Sequence, residues 1–104
     1  ERFSKMIQKS LIVKNASGLH ARPASIIVRT LKPLSAEVKL KKKGKIIDAR
    51  SLLMILSLEV VGGDEVTIIA DGPDKERAIE IVYEIINSRE EDLYKFTPGC
   101  GKKK

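Results

Sequence analysis

The hydrophobic period of this sequence switches between two residues and about 3.6 residues along the chain, and no other feature limits the possible folds as much. Ala36, Val38 and Leu40 alternate with Glu37, Lys39 and Lys41, the pattern of a strand with one dry and one wet face. Val66, Ile68 and Ala70 repeat that alternation. Ala24, Ile27, Val28 and Leu31 instead fall on one side of a helix, as do Ala78, Val82, Ile85 and Ile86. Elements that are apolar on one side only must bury those sides against each other. An antiparallel sheet covered on one face by helices satisfies all of them, and 104 residues leave room for one such core.

The punctuation between these runs sets the element order. Ile7 to Lys14 reads as a first strand, although Lys9 interrupts its Ile7, Leu11, Val13 face. Asn15-Ala16-Ser17-Gly18 forms a turn cluster before a helix over Ala21 to Leu31, with Pro23 in its first turn, where a missing N–H costs little. Arg22, Ser25 and Arg29 share the polar face of that helix. Lys43-Gly44 supplies a tight hairpin turn, and Lys45 to Asp48 returns as a strand. Arg50 to Leu58 reads as a short helix, Gly62-Gly63-Asp64 as a break, and Glu65 to Ala70 as the last strand. Asp71-Gly72-Pro73 then leads into a helix from Asp74 to about Ser88, with Glu76, Arg77, Glu80 and Glu84 outward. The predicted order is β-α-β-β-α-β-α in one α+β domain over residues 6–90. Residues 1–5 read as an extension before Met6, and residues 91–104 as a flexible tail.

Charge and cysteine content narrow the function classes. The formal net charge of +6 rests on Lys39, Lys41, Lys42, Lys43 and Lys45 and on terminal Lys102, Lys103 and Lys104; elsewhere acidic residues outnumber basic ones. No aromatic residue interleaves the lysines to stack on a base, so they read as a solvated turn and tail, not a nucleic-acid surface. No run is apolar and long enough to span a bilayer, and the lone Cys100 cannot form an intramolecular disulfide, so a cytoplasmic protein is expected. One histidine and one cysteine 80 positions apart make no metal-ligand cluster, and no cofactor is expected.

The chemistry-bearing stretch is Gly18-Leu19-His20-Ala21-Arg22-Pro23-Ala24, which places His20 where the turn becomes a helix. The first turn of a helix carries unpaired N–H groups and partial positive charge, so an anion there meets donors already aimed at it. Arg22 adds a guanidinium able to hold phosphate oxygens. Positive surroundings also favour a neutral imidazole with a lone pair free to attack phosphorus. The competing reading is a plain helix cap, a job for which Ser, Thr, Asp and Asn are preferred.

The run Asn15-Ala16-Ser17-Gly18-Leu19-His20-Ala21-Arg22-Pro23-Ala24 closely resembles the active-site signature of the HPr family. These are the histidine-containing phosphocarriers of the bacterial phosphoenolpyruvate-dependent sugar phosphotransferase system. The likeness continues through Ser51-Leu52-Leu53-Met54-Ile55-Leu56-Ser57-Leu58 and Val66-Thr67-Ile68 to Asp71-Gly72, covering roughly Met6 to Ser88. It implies an open-faced β-sandwich, with a four-stranded antiparallel sheet under three helices. It also implies phosphorylation of His20 on Nδ1 by enzyme I and transfer to enzyme IIA, with Arg22 stabilising the phosphate. The family's regulatory serine maps onto Ser51, the target of an HPr kinase/phosphorylase whose product binds a catabolite-control repressor. Such a protein is a stoichiometric carrier, not an enzyme. The sequence departs from the family pattern at Met54, Glu59 and Val61, where glycine is frequent.

Ser51 has a physical role of its own, because a hydroxyl at the start of a helix caps it and an added phosphate suits the dipole. A two-turn helix cannot bury all of Leu52, Leu53, Met54, Ile55 and Leu56. Leu19, Leu52, Leu53 and Leu56 are therefore expected beside His20 as an apolar docking surface, with Arg22, Arg29 and Lys32 as a basic rim. A carrier that meets two partners through one face is expected to be a monomer. The alternative is a regulatory module in which Ser51 matters most.

Overall fold

The structure is a computed structural model and describes residues 5–96. Residues 1–4 and 97–104, with Cys100 and the terminal lysines, lie outside the described residues. The elements are β1 (Ile7–Ile12), α1 (Ala21–Leu31), β2 (Glu37–Lys42), β3 (Lys45–Asp48), α2 (Leu52–Ser57), β4 (Glu65–Asp71) and α3 (Lys75–Asn87). Their order is the expected one. They form one four-stranded sheet, ordered β1-β4-β2-β3, with every neighbouring pair antiparallel.

The two hydrophobic periods account for the layers. Val38 and Leu40 of β2, Ile47 of β3, and Val66, Ile68 and Ala70 of β4 are buried, against Ala24, Ile27 and Leu31 of α1 and Ala78, Val82, Ile85 and Ile86 of α3. Each fully buried Ile or Leu stabilises the fold by roughly 1.5–3 kcal/mol before chain entropy is counted. The other sheet face is open: Ser10 Oγ and Thr67 Oγ1 lie 2.8 Å apart on it, exposed. Lys9, which breaks the alternation of β1, places its ammonium 4.1 Å from the centre of the Tyr83 ring on α3. An amphipathic lysine over an aromatic face thus replaces an apolar residue. The β2–β3 hairpin closes through Lys43 and Gly44 at φ 49° and 85°, the left-handed pair that a two-residue turn needs.

Two corrections concern charge and the tail. Lys42 and Lys45 are not simply solvated. Lys42 Nζ donates to Leu58 O at 3.2 Å and Glu59 O at 2.7 Å and pairs with Asp64 at 2.9 Å, while Lys45 Nζ donates to Ser57 O at 3.2 Å. Both lysines cap the carbonyl end of α2, where cations are favoured. The expected tail also starts too early, because Glu90–Phe96 forms a 3-10 turn with Leu93 fully buried. Leu93, with Phe96 packed against the core beside it, docks the turn.

Candidate functional site

His20 is the N-cap of α1, with extended backbone at φ −80° and ψ −168°. Its position is fixed by the turn before it. Asn15 Oδ1 accepts from Ser17 N at 3.0 Å, and Asn15 O accepts from Gly18 N at 2.8 Å. Gly18 has φ +67°, and a Cβ there would stand 2.0 Å from Val60 O, so only glycine fits. Leu19 N donates to Val60 O at 3.1 Å, tying the turn to the loop after α2. Asp64 holds that loop by accepting from Val61 N at 2.9 Å. This bond, followed by the Lys42 bond, lowers the Asp64 pKa below the usual carboxylate range.

The ring of His20 is held at both nitrogens. Nδ1 accepts from Arg22 N at 3.4 Å, which aims it at the start of α1. Nε2 lies 2.7 Å from Glu90 Oε1 in the 3-10 turn. The His20 bond, followed by burial working against it and the Asn15 bond, leaves the Glu90 pKa lowered, so its carboxylate can only accept. Both contacts are satisfied together when Nε2 carries the hydrogen and Nδ1 the lone pair. Arg22 Nη1 reaches Glu90 Oε2 at 3.5 Å, and Asn15 Nδ2 donates to Oε1 at 3.4 Å. Pro23 has no N–H and Ala24 N is bonded to His20 O, so Ala21 N, Arg22 N and the Arg22 guanidinium are the donors a phosphoryl group on Nδ1 would meet.

His20 and Arg22 are thus brought together as expected. The expectation of purely positive surroundings is corrected by Glu90, whose carboxylate lies against the ring. Sequence reasoning missed it because it is 70 positions from His20. The only signal was an acidic run, Glu90-Glu91-Asp92, in which nothing marks one residue over its neighbours.

Leu19 is corrected outright as a docking residue. It is 4% exposed and belongs to the core. Leu19 precedes the N-cap and Ala24 stands at N4, and both are buried, the placement by which such a pair fixes how a chain enters a helix. On α2, Ile55 is buried and Leu56 packs against the core, whereas Leu52, Leu53 and Met54 are exposed, Leu53 at 77%. The apolar patch is therefore Leu52, Leu53 and Met54, with Leu56 at its inner edge. Arg29 and Lys32 are exposed at the far end of α1. Ser51 is the N-cap of α2, its Oγ accepting from Met54 N at 3.3 Å.

The family model described as "PTS HPr component phosphorylation site" matches residues 7–88. The chain is 37% identical over 86 residues to the phosphocarrier protein HPr of Borreliella burgdorferi, covering 83% of this chain and 100% of that one. It is 40% identical over 75 residues to the HPr-like protein Crh of Bacillus subtilis, covering 72% of this chain and 88% of that protein. The crystal structure of a phosphocarrier protein HPr from Bacillus anthracis superposes with a TM-score of 0.74 at 34% identity, covering 78% of this chain and 96% of that one. A family match over most of the chain, a relative matched along its whole length and a shared sheet-and-helix layout agree: this chain belongs to the HPr family of phosphocarrier proteins.

Proposed function

We propose that this protein is a stoichiometric phosphoryl carrier in which His20 Nδ1 accepts phosphate from phosphorylated enzyme I and delivers it to enzyme IIA. The observation that carries this reading is the direction of Nδ1, whose lone pair points at the start of α1. In the acceptance step a bond forms from Nδ1 to phosphorus while the donor's nitrogen–phosphorus bond breaks and returns its electron pair to the donor. The new phosphoryl oxygens then lie near the α1 N–H groups and Arg22. Catalysis of such a transfer is positioning and charge stabilisation, which both partners share.

Leu52, Leu53 and Met54 serve as the apolar contact for both partners, with Arg22, Arg29 and Lys32 steering acidic surfaces towards it. Using one face for donor and acceptor in turn suits a cytoplasmic monomer. The reading is tested by phosphorylating the protein with enzyme I and phosphoenolpyruvate, isolating it and adding purified enzyme IIA. Stoichiometric movement of the phosphate to enzyme IIA is expected, and loss to water alone would contradict it.

A second, regulatory role is favoured by the similarity to Crh together with Ser51 at an N-cap. A phosphate on Ser51 Oγ would add charge beside Leu52 and Leu53 and so weaken apolar docking. An HPr kinase/phosphorylase with ATP should add one acid-stable phosphate to the wild type and none to Ser51→Ala. The product is then the form that would meet a catabolite-control repressor.

A further inference from the structure

Lys42 stands where β2 calls for an apolar residue. Val38 and Leu40 are buried, and the alternation carries Lys42 to their side of the strand, where its side chain is only 16% exposed. An ammonium so placed has three hydrogens to satisfy. Three oxygens meet them: Leu58 O at 3.2 Å, Glu59 O at 2.7 Å and Asp64 Oδ2 at 2.9 Å. Lys42 thus joins the two ends of the loop from α2 to β4. Asp64 closes the loop from within, its Oδ2 accepting from Val61 N at 2.9 Å and its N donating to Val61 O at 3.1 Å.

That loop is the seat of the turn that carries His20. Leu19 N donates to Val60 O at 3.1 Å, while Gly63 N donates to Val13 O and Val13 N to Asp64 O, both at 2.9 Å. Two glycines bring the backbones into contact. A Cβ on Gly18 would stand 2.0 Å from Val60 O, and one on Gly62 would stand 2.9 Å from Ala16 Cα. Packing this close leaves no slack, so a shift of residues 60–62 displaces the turn before α1 and His20 with it.

We propose that Lys42 and Asp64 are positioning residues for phosphoryl transfer, their ion pair locking the loop after α2 and the loop setting where the turn presents His20. This inference rests on the reading of His20 as phosphoacceptor. Neither side chain is bonded to His20, and the pair acts through the backbone between them. Lys42 also steadies the exit from α2, since its bond to Glu59 O holds a residue at φ +54° that lacks the freedom of glycine.

The test compares three variants of the full chain, at a temperature where circular dichroism shows each one folded. Transfer from phosphorylated enzyme I, followed by rapid quench over a range of carrier concentrations, yields a maximal rate and a half-saturating concentration. Asp64→Ala frees the loop but leaves Lys42 on the carbonyls of α2, so the docking helix keeps its cap. Its maximal rate should fall about tenfold, since small misplacements of a reacting group are costly, with half-saturation within about twofold of wild type. Hydrogen exchange at the Leu19 amide should quicken at least about fivefold. Lys42→Met, which keeps the stem but loses all three bonds, should lower the maximal rate at least as far. Lys45→Met removes a bond to Ser57 O of α2 without touching the loop, and should keep the wild-type maximal rate and Leu19 exchange. A wild-type maximal rate in Asp64→Ala or Lys42→Met, or an equal loss in Lys45→Met, would overturn the proposal. So would unchanged Leu19 exchange in Asp64→Ala. A wild type that takes no phosphate from active enzyme I would refute the carrier reading, while the exchange data, which need no phosphate donor, still decide whether the pair holds the turn.

Discussion

At the scale of single residues, the proposed phosphate site would draw its strength from Arg22. Its guanidinium is the one charged donor in the first turn of α1, and its side chain is 53% exposed, so removing it leaves no hole in the core. A hydrogen bond to a charged group is worth about 1.5–3 kcal/mol, and exposure discounts it towards the lower end. Arg22→Ala should therefore accept phosphate about tenfold more slowly and melt at nearly the wild-type temperature, as paired stopped-flow and thermal measurements would show. Arg22 was legible because it lies two positions from His20 on the same helical turn. Glu90 was not, because a contact across 70 positions is made by the burial of Leu93 and leaves no periodic trace. Leu19 was misread for a related reason: an apolar residue in a turn reads as surface until the helix after it is packed.

At the scale of elements, α2 shows how a six-residue helix persists when isolated helices of that length do not. Ser51 caps its start, Ile55 anchors it to the core, and Lys42 and Lys45 take its last carbonyls. The chain then leaves through Glu59 at φ +54°. This left-handed conformation costs a non-glycine residue about 1–2 kcal/mol, against about 0.5–1 kcal/mol of chain entropy for glycine. Glu59→Gly should accordingly stabilise the protein by about 0.5–1 kcal/mol, read as a higher urea midpoint at unchanged slope. Because α2 presents its apolar side outwards, Leu53→Asp should slow transfer from enzyme I by at least about tenfold, about 1.4 kcal/mol, while leaving the urea midpoint nearly unchanged. The strands and longer helices were readable in the sequence because their periods are local. The lysine run was only partly readable: Lys42 and Lys45 find carbonyls from a different element, which no charge pattern announces.

At the scale of the whole molecule, a few side chains staple the layers together. Arg50 donates to the carbonyls of Leu31, Leu34 and Ala36 at 2.7, 2.6 and 2.8 Å, and Asp74 accepts from Ser35 N and Ala36 N at 2.8 and 2.7 Å. Together they fix the connection from α1 to β2. The Ser35 bond is the main cause of the depressed Asp74 pKa, as the Val61 bond is for Asp64. Groups depressed in the folded state contribute stability that is present above the ordinary aspartate value, about 3.9, and lost as the pH falls through their folded values. The urea midpoint should thus drop below about pH 4, and Asp74→Asn, less stable at neutral pH, should lose less on acidification. The layered fold itself was legible because its one-sided elements admit few other arrangements. The staples were not, since each joins residues that only the finished fold brings together. The central claim concerns His20, and intact mass after incubation with enzyme I, phosphoenolpyruvate and magnesium tests it most directly. One acid-labile phosphate on the wild type and none on His20→Ala is the predicted result; no gain with an active enzyme I, or an equal gain in the variant, would contradict it.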